Sequence, residues 1–261
     1  MAALNEEQQM IKDQASAWVR EQAPVSTFRA MRDQGVTQGF FAETWNAMIE
    51  MGWTGLIVPE NYGGAGLGYQ TLGLVLEQLG RNLVASPFYA SSVVGATALM
   101  QSASEAQKQA LLPKIADGSR LVVLALEEGA RHNPSLMQCR AQLTSDGITL
   151  SGTKQFVMEG AAATDFVVAA KVGRGQGNMG VGLFLVASDA PGVQRHAVKT
   201  MDSRGYASVT FDTVALDLDA MLVGPETGQA VLQGVLDVAT AALAAEMLGT
   251  AAAAFDMTLD Y

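Results

Sequence analysis

Few side chains in this sequence suit nucleophilic or metal chemistry. Cys139 is its only cysteine, and His132 and His196 are its only histidines. A disulfide framework or a Cys/His zinc site therefore has no residues to build it, and only a carboxylate-only metal site stays open. The sequence has no P-loop, no G-x-S-x-G elbow and no H-E-x-x-H helix. Gly175-Gln-Gly-Asn-Met-Gly180 satisfies G-x-G-x-x-G, but that fingerprint works only when a helix N-terminus follows and supplies amides and dipole to a pyrophosphate. Here Val181-Gly-Leu-Phe-Leu-Val186 follows, a strand pattern, so 173–180 reads as a hairpin loop. Gly63-Gly64-Ala65-Gly66 reads as a turn that lets backbone pass close to a neighbour. Glu246 lies between Ala244, Ala245, Met247 and Leu248. In such an apolar setting a carboxylate can work as a proton-abstracting base, and a helix-surface or interhelical hydrogen-bonding role is the other reading.

The elements that must position these groups belong to a folded chain of 261 residues, 49% hydrophobic and 16% charged. At about 150 residues per domain that allows one or two domains. The net charge of −10 argues against nucleic acid as a partner. Arg131, Lys154, Arg195, Lys199 and Arg204 are open both to phosphate contacts and to surface ion pairs. The N-terminal residues lack the basic and apolar regions of a signal peptide, and no uninterrupted apolar stretch has the length of a membrane span. The nearest case, 238–254, is broken by Glu246 and small polar residues. A cytoplasmic, reducing setting is expected.

Residues 1–120 carry helical periodicity. Asn5 and Gln8 form a capping pair, Ile11, Ala15, Trp18, Val19 and Gln22 make one stripe, and Pro24 stops it. Phe41, Trp45, Met48 and Ile49 repeat the spacing before Gly52, and Leu72, Val75, Leu76 and Leu79 do so before Gly80. Further helices fit 87–100 and 104–116. In 121–226 the period changes to short β-branched segments at 121–126, 148–152, 154–158, 166–172, 181–187, 193–198, 209–211 and 214–218. These predict a middle antiparallel β-barrel or sandwich domain. From 227 the helical pattern returns with Leu232, Val235, Leu236, Ala239, Leu243, Met247 and Leu248 on one stripe, and nine of the sixteen residues 239–254 are alanine. The fold class expected is multi-domain α and β: an N-terminal α-helical domain, the β-domain, and the start of a C-terminal helical bundle.

Leu76-Glu-Gln-Leu-Gly-Arg-Asn-Leu83 with Ser86-Pro-Phe88, the stretch 107–118 and Leu124-Ala-Leu-Glu-Glu128 resemble the acyl-CoA dehydrogenase family where its N-terminal domain runs into its β-domain. Gly52-Trp53, Val58-Pro59-Glu60 and Tyr62-Gly63-Gly64-Ala65-Gly66 resemble that family's turn between helices. Leu150-Ser-Gly-Thr-Lys-Gln-Phe-Val-Met-Glu-Gly160 resembles its G-x-K-x-W-I-T-N strand, and Ala245-Glu-Met-Leu-Gly249 the start of its four-helix bundle. Each motif is weak alone, and their order over essentially the whole chain makes the match specific.

The resemblance implies an FAD flavoprotein that oxidises an acyl-CoA thioester to the α,β-enoyl-CoA. A carboxylate removes the α-proton and the β-hydrogen leaves as hydride to the flavin. It places Leu126, Glu127, Glu128, Phe156, Val157 and Met158 at the cofactor. Glu127 stands where the family carries a flavin-bonding Thr, and Phe156 and Met158 replace its Trp and Thr. Phe156 can still pack on the ring, and the amides of Val157 and Met158 can still donate. Tyr261 is reached before the family's Arg-x-x-Phe-Gly segment and before the late-helix Glu that many members use as base. The expectation is therefore a C-terminal domain cut short, with Glu246 as the catalytic candidate, although the matching early-helix base position lies nearer Ala239. An acyl-CoA substrate with a bulky or dicarboxylic chain, as in fatty acid or sterol side-chain degradation, an electron-transfer acceptor and a homo- or heterotetramer are implied. The alternative is a non-catalytic, flavin-poor partner subunit of a heteromeric acyl-CoA dehydrogenase, favoured by Glu127 and Met158. A flavin monooxygenase or oxidase on the same fold is a further one. Leu243 and Met247 are expected to need cover from further helices or a partner, or to leave their helix poorly supported.

Overall fold

Asn5 opens the first helix with a complete capping box: its side chain accepts from the Gln8 amide at 2.7 Å, and the Gln8 side chain accepts from the Asn5 amide at 3.2 Å. The computed structural model that shows this describes residues 4–173 and 179–261. Helix α1 (Glu6–Gln22) stops ahead of Pro24, where α2 (Val25–Asp33) begins, and α3 (Ala42–Glu50) ends before Gly52, whose φ of 71° turns the chain. Helix α4 (Gly68–Arg81) buries Leu72, Val75, Leu76 and Leu79. The helix expected over 87–100 is instead a π-helical segment, Phe88–Gly95, running into α5 (Ala96–Ser102). That segment lies directly on the first strand: Ser91 Oγ accepts from the Val122 amide at 3.1 Å, and a Cβ on Gly95 would come within 1.9 Å of the Val122 carbonyl oxygen. Helix α6 (Glu105–Ala116) opens on a second capping box, Ser104 with Gln107.

The β-region forms one eight-stranded sheet of β1 (Val122–Ala125), β2 (Arg140–Leu143), β3 (Ile148–Val157), β4 (Asp165–Gly173), β5 (Met179–Ala187), β6 (Val193–Ala197), β7 (Ala207–Leu216) and β8 (Met221–Val223). The pairing order is β6-β7-β3-β2-β4-β5-β8, with β1 also on β4. Among the described residues the sheet does not close into a barrel by hydrogen bonding, and it is not purely antiparallel: β1 and β2 both run parallel to β4. Two strands escaped the sequence pattern. Arg-Ala-Gln-Leu of β2 buries only Ala141 and has no β-branched residue, and β8 is three residues long. Conversely, 148–152 and 154–158 are one strand, as are 209–211 and 214–218, each irregular where a bulge shifts the register. The run Gly175 to Gly180 lies, up to Asn178, outside the described residues; strand β5 follows it.

Strand β4 is buried on both faces, which explains its continuous apolar run. Val167 and Ala169 join the core shared with the helices, whereas Phe166, Val168 and Ala170 join a second core with Phe184, Val209 and Phe211. Phe166 on β4 and Phe211 on β7 meet edge to face at 6.1 Å although β3 and β2 separate their strands in the order. The sheet therefore curls around this second core.

Helix α7 (Gly228–Leu259) packs along α4, α5, the π-helical segment and β5. Its buried face is Leu232, Val235, Ala239, Ala242 and Gly249, while Leu243, Met247 and Leu248 are exposed. The lower half of the expected stripe is thus rotated, because α7 and α4 approach too closely for large side chains. A Cβ on Gly249 would lie 1.8 Å from the Glu77 carbonyl oxygen, and one on Gly80 would lie 2.0 Å from that of Glu246. Thr250 Oγ1 donates to the Gly80 carbonyl at 3.0 Å, and Arg81 pairs with Asp256. By length and composition alone α7 is also apolar enough to cross a membrane, with a mean hydropathy of 1.5 over its best window.

Candidate active site

Strand β1 and the residue after it alternate their side chains: Val123 and Ala125 enter the second core, and Leu124 and Leu126 pack with the helical core. There they wall a cavity of about 150 Å³ together with Tyr89, Ala90 and Val94 of the π-helical segment, Glu127, Phe156 and Met158 at the sheet's end, and Leu236 and Ala239 of α7. All three parts of the chain contribute. Of the six cofactor candidates read from sequence, Leu126, Glu127, Phe156 and Met158 line this one cavity. Val157 does not: its side chain is buried in the second core.

Phe156 owes its place to a bulge in β3. Between the pairs Lys154↔Val209 and Val157↔Ala207 the strand carries one extra residue, and Phe156 adopts φ 49°, a conformation costly for an aromatic residue. The bulge stands the ring out of the sheet, 44% exposed, at the cavity wall. An exposed aromatic ring on strained backbone suits stacking on a planar ligand.

Glu128, the sixth candidate, does not line the cavity and has both carboxylate oxygens engaged within the fold. Its Oε1 accepts from Lys154 Nζ at 2.7 Å and from the Cys139 amide at 3.0 Å, and its other oxygen accepts from the Gln138 amide. Lys154, fully buried, also donates to the Leu126 carbonyl at 3.0 Å. Burial opposes ionisation of Glu128, but the Lys154 and amide hydrogen bonds outweigh it and hold the carboxyl below its ordinary value. This staple fixes the 126–128 segment to β3. Glu127 is anchored by its backbone, its carbonyl accepting from the Gln155 amide at 2.7 Å, and its Oε1 lies 2.5 Å from His132 Nδ1.

Glu246 is not among the residues that line the cavity. Arg204 reaches it at 3.5 Å from Nη1, donates from Nε to Glu159 Oε1 at 2.8 Å, and donates to the Ser86 carbonyl at 3.3 Å. One guanidinium thus joins the helical region, the sheet and α7. Glu159 has no solvent exposure; burial pushes its carboxyl upward in spite of Arg204 and the Gly205 amide. Tyr89, missed in the sequence, donates its hydroxyl to the Ala239 carbonyl at 2.9 Å. Burial, with the charge of Glu246 behind it, pushes that hydroxyl up to about 12. Its one sequence signal is a polar-tipped aromatic directly after Ser86-Pro87-Phe88.

The basic candidates scatter. Lys154 and Arg204 are committed as above, Arg195 donates to the Ala163 carbonyl at 2.8 Å, and Arg131 is exposed. Lys199 edges a separate cavity of about 270 Å³ whose other cations, Arg32 and Arg204, are paired. The residues around the 150 Å³ cavity suit the ring end of a flavin in their apolar walls and exposed Phe156 ring, with Glu127 the one charged side chain among the described lining residues. The cavity is smaller than a whole cofactor site of roughly 300 Å³ or more, so it accounts for that end only.

Helices, a curled sheet and a long closing helix, meeting at this cavity, define the acyl-CoA dehydrogenase fold. Two family models confirm it, the acyl-CoA dehydrogenase N-terminal domain over residues 5–119 and the middle domain over residues 124–214. The chain belongs to the acyl-CoA dehydrogenase family, whose members generally bind FAD. It is 28% identical to the mitochondrial 2-methylacyl-CoA dehydrogenase of Solanum tuberosum over 225 residues, covering 83% of this chain and 54% of that protein. Among solved structures it is similar to a variant of the Tcur3481-Tcur3483 steroid ACAD, with TM-score 0.84, 32% identity, and 98% and 66% of the two chains covered. It is also similar to the ChsE4-ChsE5 complex of Mycobacterium tuberculosis, with TM-score 0.86, 26% identity, and 99% and 67% covered. The chain spans just over half the length of the curated relative.

Proposed function

We propose that this chain is a subunit of an FAD-dependent acyl-CoA dehydrogenase that introduces an α,β double bond into an acyl-CoA thioester. The observation that carries the reading is the convergence of Leu126, Glu127, Phe156 and Met158 with Tyr89 and Ala239 around one cavity where the three parts of the chain meet. Bound there, FAD supplies the hydride acceptor. With FAD bound, Phe156 would stack on its ring, and Leu124, Leu126 and Val94 would exclude water. The Lys154–Glu128 staple keeps the 126–128 segment at a fixed distance from Phe156. Acyl-CoA substrate, an electron-transfer acceptor and association into a tetramer belong to the same proposal, as does a cytoplasmic setting, supported by the single, buried, unpaired thiol of Cys139.

A second reading, a non-catalytic partner subunit, is favoured by one observation: Glu246 is engaged by Arg204, and among the described residues the α7 side of the cavity presents Leu236 and Ala239, neither able to take a proton. The similarity to the ChsE4-ChsE5 complex is compatible with it. The visible spectrum separates the readings. A yellow protein absorbing near about 450 nm that bleaches anaerobically on adding acyl-CoA supports the dehydrogenase. A protein that stays colourless with added FAD and turns yellow only when co-expressed with a second subunit supports the partner reading.

A further inference from the structure

Glu127 is the one carboxylate among the described residues lining the cavity, whose walls are otherwise apolar apart from the Tyr89 hydroxyl. Resting on the flavin reading above, we infer that His132 is a positioning residue for Glu127: it holds that carboxylate in a hydrogen bond and takes up part of its charge, so that a ring able to become anionic can be kept beside it. The backbone of Glu127 is already fixed by the Gln155 amide, so the direction of the carboxylate depends on its side chain and on His132 Nδ1, 2.5 Å from Oε1. The neighbouring groups are committed elsewhere. Lys154 serves Glu128 and the Leu126 carbonyl, Glu128 serves Lys154 and the amides of Gln138 and Cys139, and Tyr89 donates to the Ala239 carbonyl. Arg131 is exposed, and among the described residues no ion pair involves it. A flavin gains negative charge on reduction, and a bare carboxylate beside it would oppose that change. A hydrogen bond from the imidazole spreads the carboxylate's charge and weakens the opposition.

Two measurements test this. Nitrogen-15 spectra of the imidazoles resolve readily because the chain has only two histidines. They should show His132 with its proton on Nδ1 in the wild type and lose that state in Glu127→Ala. Reductive titration of the FAD-loaded protein should then show His132→Phe lowering the flavin midpoint potential and Glu127→Gln raising it. Each shift corresponds to about a tenfold change in preference for reduced flavin, ~30 mV for a two-electron couple. Opposite signs are the signature, since a merely structural role would move both variants alike. Unmoved potentials, shifts of one sign, or an unchanged His132 proton in Glu127→Ala would overturn the inference with flavin still bound. A chain that binds no flavin, alone or with a second subunit, would instead defeat the flavin reading, and this inference with it.

Discussion

Lys154, with no exposure to solvent, donates to Glu128 at 2.7 Å and so ties β3 to the segment that follows β1. Removing one member of a buried pair leaves the other charge uncompensated. Lys154→Met should therefore cost about 2–4 kcal/mol by urea denaturation, from the stranded carboxylate and the unpaired Leu126 carbonyl. The folded pKa of Glu128 is lowered, so the fold binds its proton less readily than the unfolded chain does. Its contribution is thus complete above the ordinary carboxylate value near 4.5 and is lost as pH falls through the lowered folded value. An acid limb of the stability curve that is identical in wild type and Glu128→Gln would refute this assignment.

Arg204 carries more than one carboxylate. Arg204→Met strands Glu159, which has no exposure, and releases α7 at Glu246; a loss of about 3–5 kcal/mol is expected. The double variant with Glu159→Gln should recover part of it, because the buried charge is then absent. Strict additivity in the double-mutant cycle would show that the two groups are not coupled.

The α4–α7 crossing predicts an inversion of the usual rule that large apolar residues matter most. Gly249→Ala drives a Cβ onto the Glu77 carbonyl and should cost about 1–3 kcal/mol. Leu248→Ala, on the exposed side, should stay within about 0.5 kcal/mol. Thermal melts of the two variants decide the matter.

Phe156 sets stability against binding. Phe156→Gly relieves the φ of 49° and should stabilise the fold by about 0.5–1 kcal/mol, yet remove the stacking wall and weaken FAD retention roughly tenfold. Parallel melts and flavin titrations should move in opposite directions.

Cys139 gives a probe of unfolding. Burial pushes its thiol up to about 11, so at neutral pH it is both protonated and covered. Its reaction with a thiol reagent should follow the opening of the β2–β3 region; rapid labelling of the native protein would contradict the packing found here.

Helical periodicity, both capping boxes, the change to short strands after residue 120 and four of the cavity's residues could be read from the sequence, because each rests on local spacing or on a motif carried within a few residues. The purely antiparallel order could not. The parallel pairing of β1 and β2 with β4 is set by contacts between segments about 30–45 residues apart in the chain, as the registers Val122↔Asp165 and Arg140↔Lys171 show. Hydrophobicity put Leu243, Met247 and Leu248 on one stripe in need of cover, and the structure leaves them exposed; what it packs against α4 instead is Gly249, since close backbone approach at a helix crossing selects for absence of side chain. For Glu246 the sequence left open a proton-abstracting base or a hydrogen-bonding helix carboxylate, and its ion pair with Arg204, 42 residues away in sequence, depends on the tertiary fold. Residue types determined which chemistries this chain can support; only tertiary structure decided which carboxylate faces the cavity and which are already spoken for, because charge pairing depends on distances in space that the order of residues does not contain.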